Sequence, residues 1–248
     1  MTPIVAVLQA RMNSTRLPGK SLCPLAGVPL IEHIINRLKA VTDLDRIVLA
    51  VPDSPSEDPL TAVAARLGVS IVKGPEEDVL ARFLMAADAV DAEHIVRVCG
   101  DNPLIDRALI RSLIQTHLEK NADYSITSDS IPLGTGTEVV RVAALRRIAQ
   151  TTDDPKYREH VTTWFHDHPD EGVQPRVPAP AYLRNKPFRL TVDTEKDLAL
   201  MEQIFEHFHT TPSSTPDLEQ VIRFLDTHPE IARLNAEVPQ KDWRTQSE

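Results

Sequence analysis

The stretch I-V-A-V-L-Q-A-R-M-N-S-T-R-L-P-G-K (residues 4–20) joins a short, continuous apolar run to a cationic loop. Such a β-branched and aliphatic run predicts a strand that is buried on both faces of a parallel sheet. The loop after it, residues 10–20, then lies at the carboxyl edge of that sheet, where open α/β folds bind their ligands. The chain has 36 acidic residues and a formal net charge of −9, yet none of its acids precedes Glu32. A loop without carboxylates in an acidic chain indicates a small, enclosed site for an anion.

Similar apolar runs recur along the chain and alternate with helical patterns. The predicted strands are 46–51, 69–72, 94–99 and 188–192, and the predicted helices are 29–40, 59–67, 79–90, 106–120, 194–205, 217–226 and 230–235. Thr194 and Asp197 form a pattern like a capping box at the start of one helix. This alternation is typical of an open, mostly parallel α/β sheet with helices on both faces.

The alternation changes after residue 121, which predicts an inserted lobe. Segments 124–127 and 134–142 look extended or hairpin-like, and 156–168 looks helical. A length of 248 residues suits one α/β domain that carries such a lobe. We therefore predict an α/β domain formed by 1–121 and 186–236, a lobe at 122–185 and a loose tail at 237–248.

Composition excludes several classes of function. A net charge of −9 argues against general affinity for nucleic acid or for an anionic membrane. Cys23 and Cys99 are far apart and lie in apolar contexts, which favours structural thiols in a reducing compartment over a disulfide or a metal site. The first residues carry no basic segment, and their apolar run is too short for a signal peptide or a membrane span. We expect a cytoplasmic protein.

The loop at residues 10–20 has the groups that a phosphate chain needs. Its backbone N–H groups, together with the side chains of Asn13, Ser14 and Thr15, can surround phosphate oxygens. Arg16 and Lys20, four residues apart around a Pro-Gly turn, can neutralise the outer phosphates. The alternative is a solvated basic loop. Neither G-x-x-x-x-G-K-[ST] nor G-x-G-x-x-G follows the first strand, which lowers the P-loop and dinucleotide-binding interpretations.

Other groups of the loop complete this hypothesis. Arg11 adds a third cation, and Gln9 and Ala10 begin the loop, so that their backbones can reach a nucleotide base.

Two aspartates are predicted at the same edge of the sheet. Gly100-Asp101 follows the strand at 94–99, and Asp193 ends the strand at 188–192. Two carboxylates that face a triphosphate repel one another unless a divalent cation lies between them, and hard oxygen ligands suit Mg²⁺. The alternative is that each aspartate caps a following helix. This alternative is stronger for Asp193, because Thr194 lies at the same helix boundary.

Six motifs in order, spread over residues 4–205, extend this interpretation. They are Q-A-R-M-N-S-T-R-L-P-G-K (9–20), L-x-x-L-A-G-V-P-L-I-x-H (22–33), E-E-D-V-L-A-R-F (76–83), R-V-C-G-D-N-P-L-I-D (97–106), E-H-V-T (159–162) and R-L-T-V-D-T-E-K-D-L (189–198). Together they resemble the cytidylyltransferases that make CMP-activated acidic sugars, especially the branch of the spore-coat polysaccharide cytidylyltransferase-like proteins and the CMP-Kdo synthetases. The resemblance implies a glycosyltransferase-A-like (Rossmann-like) fold, CTP and Mg²⁺ as ligands, and a homodimer formed through the inserted lobe.

The resemblance also implies roles for particular residues. Asp101 and Asp193 would hold the metal, and the segment with Asp78 and Arg82 would border the base or ribose beside Gly100. For Asp78 and Arg82, one helical turn apart, a surface ion pair is the alternative. The residues implied at the acceptor are Glu138, Arg158, Glu159 and His160.

Two departures from the family pattern concern the acceptor. The segment G-T-G-T-E (134–138) has an extra Gly and Thr before the matching Glu, and Cys99 stands where the CMP-Kdo synthetases have Gln. We therefore do not assign Kdo, the acceptor of the CMP-Kdo synthetases, to this chain. As bare residues, Glu159 and His160 can also be a solvated helix face with a half-buried imidazole.

We predict a cytidylyltransferase that moves CMP from CTP to an acidic sugar, phosphonate or phosphate, with Arg16, Lys20 and Asp101 as catalytic residues. Two alternatives stay open. One is a nucleotide-sugar-dependent glycosyltransferase on the same fold, and the other is a nucleotide-binding protein without turnover.

Overall fold

The computed structural model describes residues 3–209, 211 and 215–240. The strands are β1 (Ile4–Gln9), β2 (Pro24–Leu25), β3 (Val28–Pro29), β4 (Arg46–Pro52), β5 (Ser70–Gly74), β6 (His94–Cys99), β7 (Tyr124–Thr127), β8 (Glu138–Arg141) and β9 (Arg176–Val177). The helices are α1 (Leu30–Lys39), α2 (Asp58–Arg66), α3 (Val79–Asp88), α4 (Arg107–Glu119), α5 (Val142–Thr151), α6 (Pro155–Glu159), α7 (Thr163–Asp167), α8 (Glu195–His207), α9 (Leu218–Thr227) and α10 (Pro229–Ala232). Most of the predicted tail, residues 241–248, lies outside the described residues.

A seven-stranded sheet in the order β5-β4-β1-β6-β8-β7-β9 forms the centre of the protein. β1 lies between β4 and β6 and is parallel to both, and β5 is parallel to β4. β8 is antiparallel to β6 and to β7. The predicted open, mostly parallel sheet is therefore confirmed. The strands of residues 122–185 continue this sheet, and the division into domain and lobe stays a prediction.

Helices cover both faces of the sheet because its central strands are apolar on both sides. Ala6 and Leu8 of β1 pack into a core layer with α1, α4, α8 and α9. Val5 and Val7, which point the other way, pack with α3, α5 and α7. Burial on both faces is the reason that these strands read as continuous apolar runs rather than alternating ones.

The helix predicted at 156–168 is wrong as one element, because the structure divides it into α6 and α7. His160 leaves the helical region with φ −104° and ψ 77°. Two residues later the Thr162 hydroxyl donates to the Glu138 carboxylate over 2.7 Å. The break turns this short segment inward, so a polar contact with the sheet replaces continued helix.

The strand predicted at 188–192 is also wrong, and the helix α5 was not predicted. The segment is extended, but within the described residues its ladder is reduced to a single bridge between Leu133 and Arg189. Its Val192 N–H donates instead to the Asp101 carbonyl over 2.8 Å. The segment therefore pairs with loops.

No helix among the described residues has both the length and the apolarity to cross a bilayer.

Candidate active site

The loop at residues 10–20 is fixed by contacts on both of its sides. The Glu57 carboxylate, fully buried, accepts a hydrogen bond from the Met12 N–H over 2.9 Å. The Met12 carbonyl in turn accepts from the Gly19 N–H over 2.9 Å. Gly19 has φ +71°, a conformation that favours glycine, and the chain then enters a 3-10 turn that begins at Lys20. The loop is thus a closed bend that presents Lys20 at the sheet edge.

Gly100 allows the ends of β1 and β6 to lie very close together. Its N–H donates to the Gln9 carbonyl over 2.8 Å. A Cβ at this position would lie 2.7 Å from the Ala10 Cβ and 2.9 Å from the Gln9 carbonyl oxygen, which is too close for any side chain. The absence of a side chain here brings Asp101 next to the loop.

Lys20, Asp101 and Asp193 form an ion cluster at this edge. The Lys20 ammonium lies 2.8 Å from Asp101 Oδ2 and 2.8 Å from Asp193 Oδ1. Arg16 contacts the same Asp193 oxygen at 3.0 Å, and Arg189 contacts the other oxygen at 2.8 Å. Two of the three predicted cations, Arg16 and Lys20, therefore meet both predicted aspartates at one place.

The cluster shifts the pKa values of Asp193 and Lys20 toward their charged forms. Burial alone would raise the pKa of Asp193, but Lys20, Arg16 and Arg189 hold that pKa below its usual value. Burial would lower the pKa of Lys20, but Asp101 and Asp193 raise it above its usual value. At neutral pH the Asp193 carboxylate is therefore anionic and the Lys20 amine is an ammonium.

The group between these two carboxylates is an ammonium, where the sequence analysis predicts a divalent cation beside a triphosphate. The Lys20 ammonium occupies that position, and no group of three or more His, Cys, Asp or Glu side chains in the described part of the chain is arranged to hold a metal ion. Two convergent carboxylates still fit Mg²⁺, since this ion takes few protein ligands and completes its shell with phosphate oxygens and water. A metal therefore fits here once Lys20 has moved.

The capping alternative for Asp193 is wrong. Thr194 is the N-cap of α8, and Asp197 completes the capping box, as predicted for that pair. Asp193 lies just outside the box and is left for the ion cluster.

A cavity of about 280 Å³ opens beside the cluster. The predicted site residues that line it are Gln9, Ala10, Arg11, Ser14, Thr15, Arg16, Lys20, Arg82, Gly100, Asp101, Glu159, His160 and Asp193. The predicted site residues outside its lining are Asn13, Asp78, Glu138 and Arg158. A larger cavity of about 470 Å³ near α5 and α7 contains none of these residues.

Asp78 and Arg82 have separate structural tasks, so their interpretation as a mutual surface pair is wrong. Asp78 caps α3 by accepting from the Ala81 N–H over 2.8 Å, and it contacts Arg158 at 3.4 Å. Arg82 is only 3% exposed and donates to the carbonyl of Glu76 over 2.6 Å. Its Nε is buried and has no hydrogen-bond partner among the described residues, and the residue lines the cavity.

Glu138 lies behind the cavity wall rather than on it. It accepts from Arg97 Nη1 over 2.9 Å, from the Thr162 hydroxyl over 2.7 Å and from the Tyr124 hydroxyl. Arg97, which lines the cavity, lies between Glu138 and the open space. The sequence analysis quoted Arg97 within a motif and did not assign it to the site.

Sequence reasoning missed three contributors, namely Glu57, Arg97 and Arg189. For Arg97 a signal exists, because it is a charged residue at a sheet position whose neighbours point into the core. Glu57 carries no comparable local signal, since its partner Met12 lies 45 residues away. Arg189 lies only four residues before Asp193, so that spacing was the available signal.

Comparison with known proteins gives a consistent result. A sequence-family model described as cytidylyltransferase matches residues 5–227. The chain is 34% identical over 238 residues to the spore coat polysaccharide biosynthesis protein SpsF of Bacillus subtilis, covering 94% of this chain and 98% of SpsF. A cytidylyltransferase structure from Leptospira borgpetersenii superposes with a TM-score of 0.87 at 22% identity, covering 98% of this chain and all of that one (100%). A CMP:2-keto-3-deoxy-manno-octonic acid synthetase solved with CTP superposes with a TM-score of 0.62 at 17% identity, covering 84% and 100% of the two chains.

Proposed function

This chain belongs to the cytidylyltransferase family, and from that premise we propose that it transfers CMP from CTP to a small acidic acceptor and releases pyrophosphate. The observation that carries the proposal is the ion cluster of Lys20, Asp101 and Asp193 beside a closed cationic loop. SpsF, by its name, acts in spore coat polysaccharide biosynthesis, and the synthetase named above binds CTP. Both support an acceptor that is an acidic sugar or a related phosphonate or phosphate.

In the proposed reaction an acceptor oxygen attacks the α-phosphorus of CTP. The new oxygen–phosphorus bond forms in line as the bond between the α-phosphorus and the bridging oxygen breaks, and that oxygen leaves with pyrophosphate. Such chemistry depends on positioning and on charge stabilisation, so no side-chain nucleophile is needed. Arg16 and Lys20 hold the departing phosphates, and Arg11 adds charge at the rim.

The ion cluster neutralises the cations of the site before the substrate binds. Without a ligand, Lys20 and Arg16 are neutralised by Asp101 and Asp193, at 2.8 to 3.0 Å. A triphosphate carries more charge than these carboxylates and competes for both cations. Once Lys20 and Arg16 have moved to the triphosphate, Asp101 and Asp193 are free to hold Mg²⁺. When bound, the ion would neutralise charge on the phosphate oxygens.

The nucleoside and the acceptor occupy the rest of the cavity in this proposal. Gln9, Ala10 and Arg82 contact the base and ribose. Glu159 and His160 line the side of the acceptor. Burial lowers the pKa of His160, so its imidazole is uncharged at neutral pH and can accept the proton of an attacking hydroxyl.

The cofactor Mg²⁺, a homodimer formed through residues 122–185 and a cytoplasmic location belong to the same proposal. Asn13 and Asp78 near the nucleotide, and Arg158 near the acceptor, stay predictions because they lie outside the cavity lining.

The proposal is tested by pyrophosphate release from CTP and Mg²⁺ with a panel of acidic sugars, phosphonates and sugar phosphates. Lys20→Ala removes a cation that stabilises the departing phosphates, and Asp101→Asn removes a carboxylate that would hold Mg²⁺. Each variant is therefore expected to lower turnover by about 100-fold or more. Arg223→Gln on α9 is the control, since this side chain is 74% exposed and pairs only with its helical neighbour Glu219 among the described residues. Unchanged release in both site variants would refute the assignment. Binding of a nucleotide sugar in place of CTP would favour the glycosyltransferase alternative.

A further inference from the structure

Arg97 is a charged residue on a face of the sheet where the neighbouring side chains belong to the core. On β6 it lies in register with Val7 of β1 and with Glu138 of β8. Val7 and Ile95, which point to the same face, are fully buried. Placing an arginine among them costs desolvation free energy, so its presence needs a compensating partner.

Glu138 is that partner, and it is itself fixed on several sides. Arg97 Nη1 donates to Glu138 over 2.9 Å, while Thr162 and Tyr124 donate to the same carboxylate. Burial raises the pKa of a carboxyl, but His166, Arg97 and the two hydroxyls hold the pKa of Glu138 well below its usual value. The guanidinium is therefore held by an ionised carboxylate in a defined orientation.

Part of the Arg97 side chain faces the cavity. Its Nε is buried from solvent and has no hydrogen-bond partner among the described residues, so a ligand can approach only the exposed part of the side chain. The side chain is 21% exposed and lines the cavity near His160, whose pKa its charge helps to lower. A guanidinium offers several N–H donors in a rigid planar fork, which suits a second oxyanion.

Stability does not account for this arrangement. Apolar residues of similar volume commonly replace a buried ion pair at no cost, and a buried donor without a partner is unfavourable. The exposed part of the guanidinium side chain lies on the cavity lining, where an incoming anion can reach it. The lobe side of the cavity also presents Glu159 and the uncharged His160, so an acidic acceptor that binds there needs a cation.

We propose that Arg97 binds the oxyanion of the acceptor, a carboxylate or a phosphonate, and that Glu138 is its positioning residue. This inference rests on the proposed function. The sequence analysis expects Glu138 at the acceptor. In this proposal Glu138 acts on the acceptor only through Arg97.

The test uses calorimetric titration of metal-free protein saturated with CTP, with 3-deoxy-manno-octulosonate as the carboxylate probe and methylphosphonate as the phosphonate probe. The double variant Arg97→Gln, Glu138→Gln removes both charges together, so no buried carboxylate loses its cation and folding is preserved. We expect CTP affinity like that of the wild type and a loss of at least about 10-fold in affinity for the probe that binds. Arg223→Gln should keep both affinities.

Glu138→Gln alone tests the positioning role. It should raise KM for the acceptor more than it lowers kcat, because Arg97 remains but is less firmly oriented. Binding of neither probe to the wild type, or equal binding to the wild type and the double variant, overturns the inference. If anion binding depends on Arg97 while the wild type releases no pyrophosphate with any acceptor, the anion site stands and the proposed function fails.

Discussion

Gly134 is a residue at which even one added methyl group should be harmful. It has φ +89°, and an added Cβ would lie 2.5 Å from the Leu190 carbonyl oxygen. Gly68 has a similar φ of +67° but nothing within 4 Å of that position. Gly68→Ala should therefore show the cost of backbone strain alone, about 1–2 kcal/mol. Gly134→Ala adds a clash with backbone and should lower the free energy of unfolding by about 3 kcal/mol or more.

Urea denaturation of both variants measures this difference. The clash falls on the segment that leads to Asp193, since the Leu190 N–H donates to the Leu133 carbonyl over 2.7 Å. Gly134→Ala should thus also weaken CTP binding, whereas Gly68→Ala should not. If the two variants lost equal stability, the backbone at Gly134 and Leu190 would be able to move apart and relieve the clash.

At the residue scale, local patterns were a good guide to charge and a poor guide to partners. Lys20, Asp101 and Asp193 could be assigned to one edge because each follows a predicted strand. Their mutual contacts could not be predicted, since a sequence does not show whether an ammonium or a metal lies between two carboxylates. Glu138 was assigned to the acceptor, but its position behind Arg97 depends on strand register.

At the scale of elements, a chain of buried polar groups joins β6, α4 and β7. His94 Nδ1 lies 3.0 Å from His117 Nε2, and His117 Nδ1 lies 2.8 Å from the Ser125 hydroxyl. Burial, with the nearby His94 and Arg141, lowers the pKa of His117 from 6.5 to about 3. The imidazole is therefore uncharged in the folded protein at neutral pH.

This pKa predicts acid sensitivity. Between pH 6.5 and about 3 the unfolded state binds more protons than the folded state at His117. The free energy of unfolding should therefore fall as the pH drops below 6.5, by up to about 1.4 kcal/mol per pH unit from this group. His117→Gln should flatten that dependence in denaturant titrations at about pH 7, 6 and 5.

His209→Asn, a change at an exposed histidine, should leave the pH dependence of the wild type in place. If His117→Gln followed the same pH curve as the wild type, the acid sensitivity would have to come from other groups.

Elements with a strong period were predictable, and elements set by tertiary contacts were not. The parallel strands and the capped helix α8 follow from apolar runs and a local cap. The break between α6 and α7 depends on Thr162 reaching Glu138, and the segment at 188–192 pairs with loops instead of a neighbouring strand. Neither contact leaves a periodic signal.

At the scale of the whole molecule, the fold brings carboxylates to a loop that the sequence keeps free of them. Glu57, Asp101 and Asp193 come from three distant segments and contact the loop through Met12, Lys20 and Arg16. The acid-free stretch thus reflects local chemistry, while the assembled site pairs its cations until an anion arrives.

This assembly predicts a coupling between nucleotide and metal. In the free protein Lys20 occupies the space between Asp101 and Asp193, so Mg²⁺ alone should raise the melting temperature very little. CTP draws Lys20 away, and a ligand that binds the folded state raises stability according to its concentration and affinity. CTP and Mg²⁺ together should therefore stabilise the protein by more than the sum of their separate effects, and each should tighten binding of the other.

Lys20→Met separates this mechanism from simple binding of a Mg²⁺–CTP complex. Without the ammonium, the two aspartates are open to the ion, so Mg²⁺ alone should now stabilise the variant, as measured by thermal unfolding with and without EDTA. Asp101→Asn added to Lys20→Met should abolish that gain, because one of the two carboxylates is lost. A wild type that Mg²⁺ alone stabilises as strongly as it stabilises Lys20→Met would show that the ammonium does not control access to the aspartates.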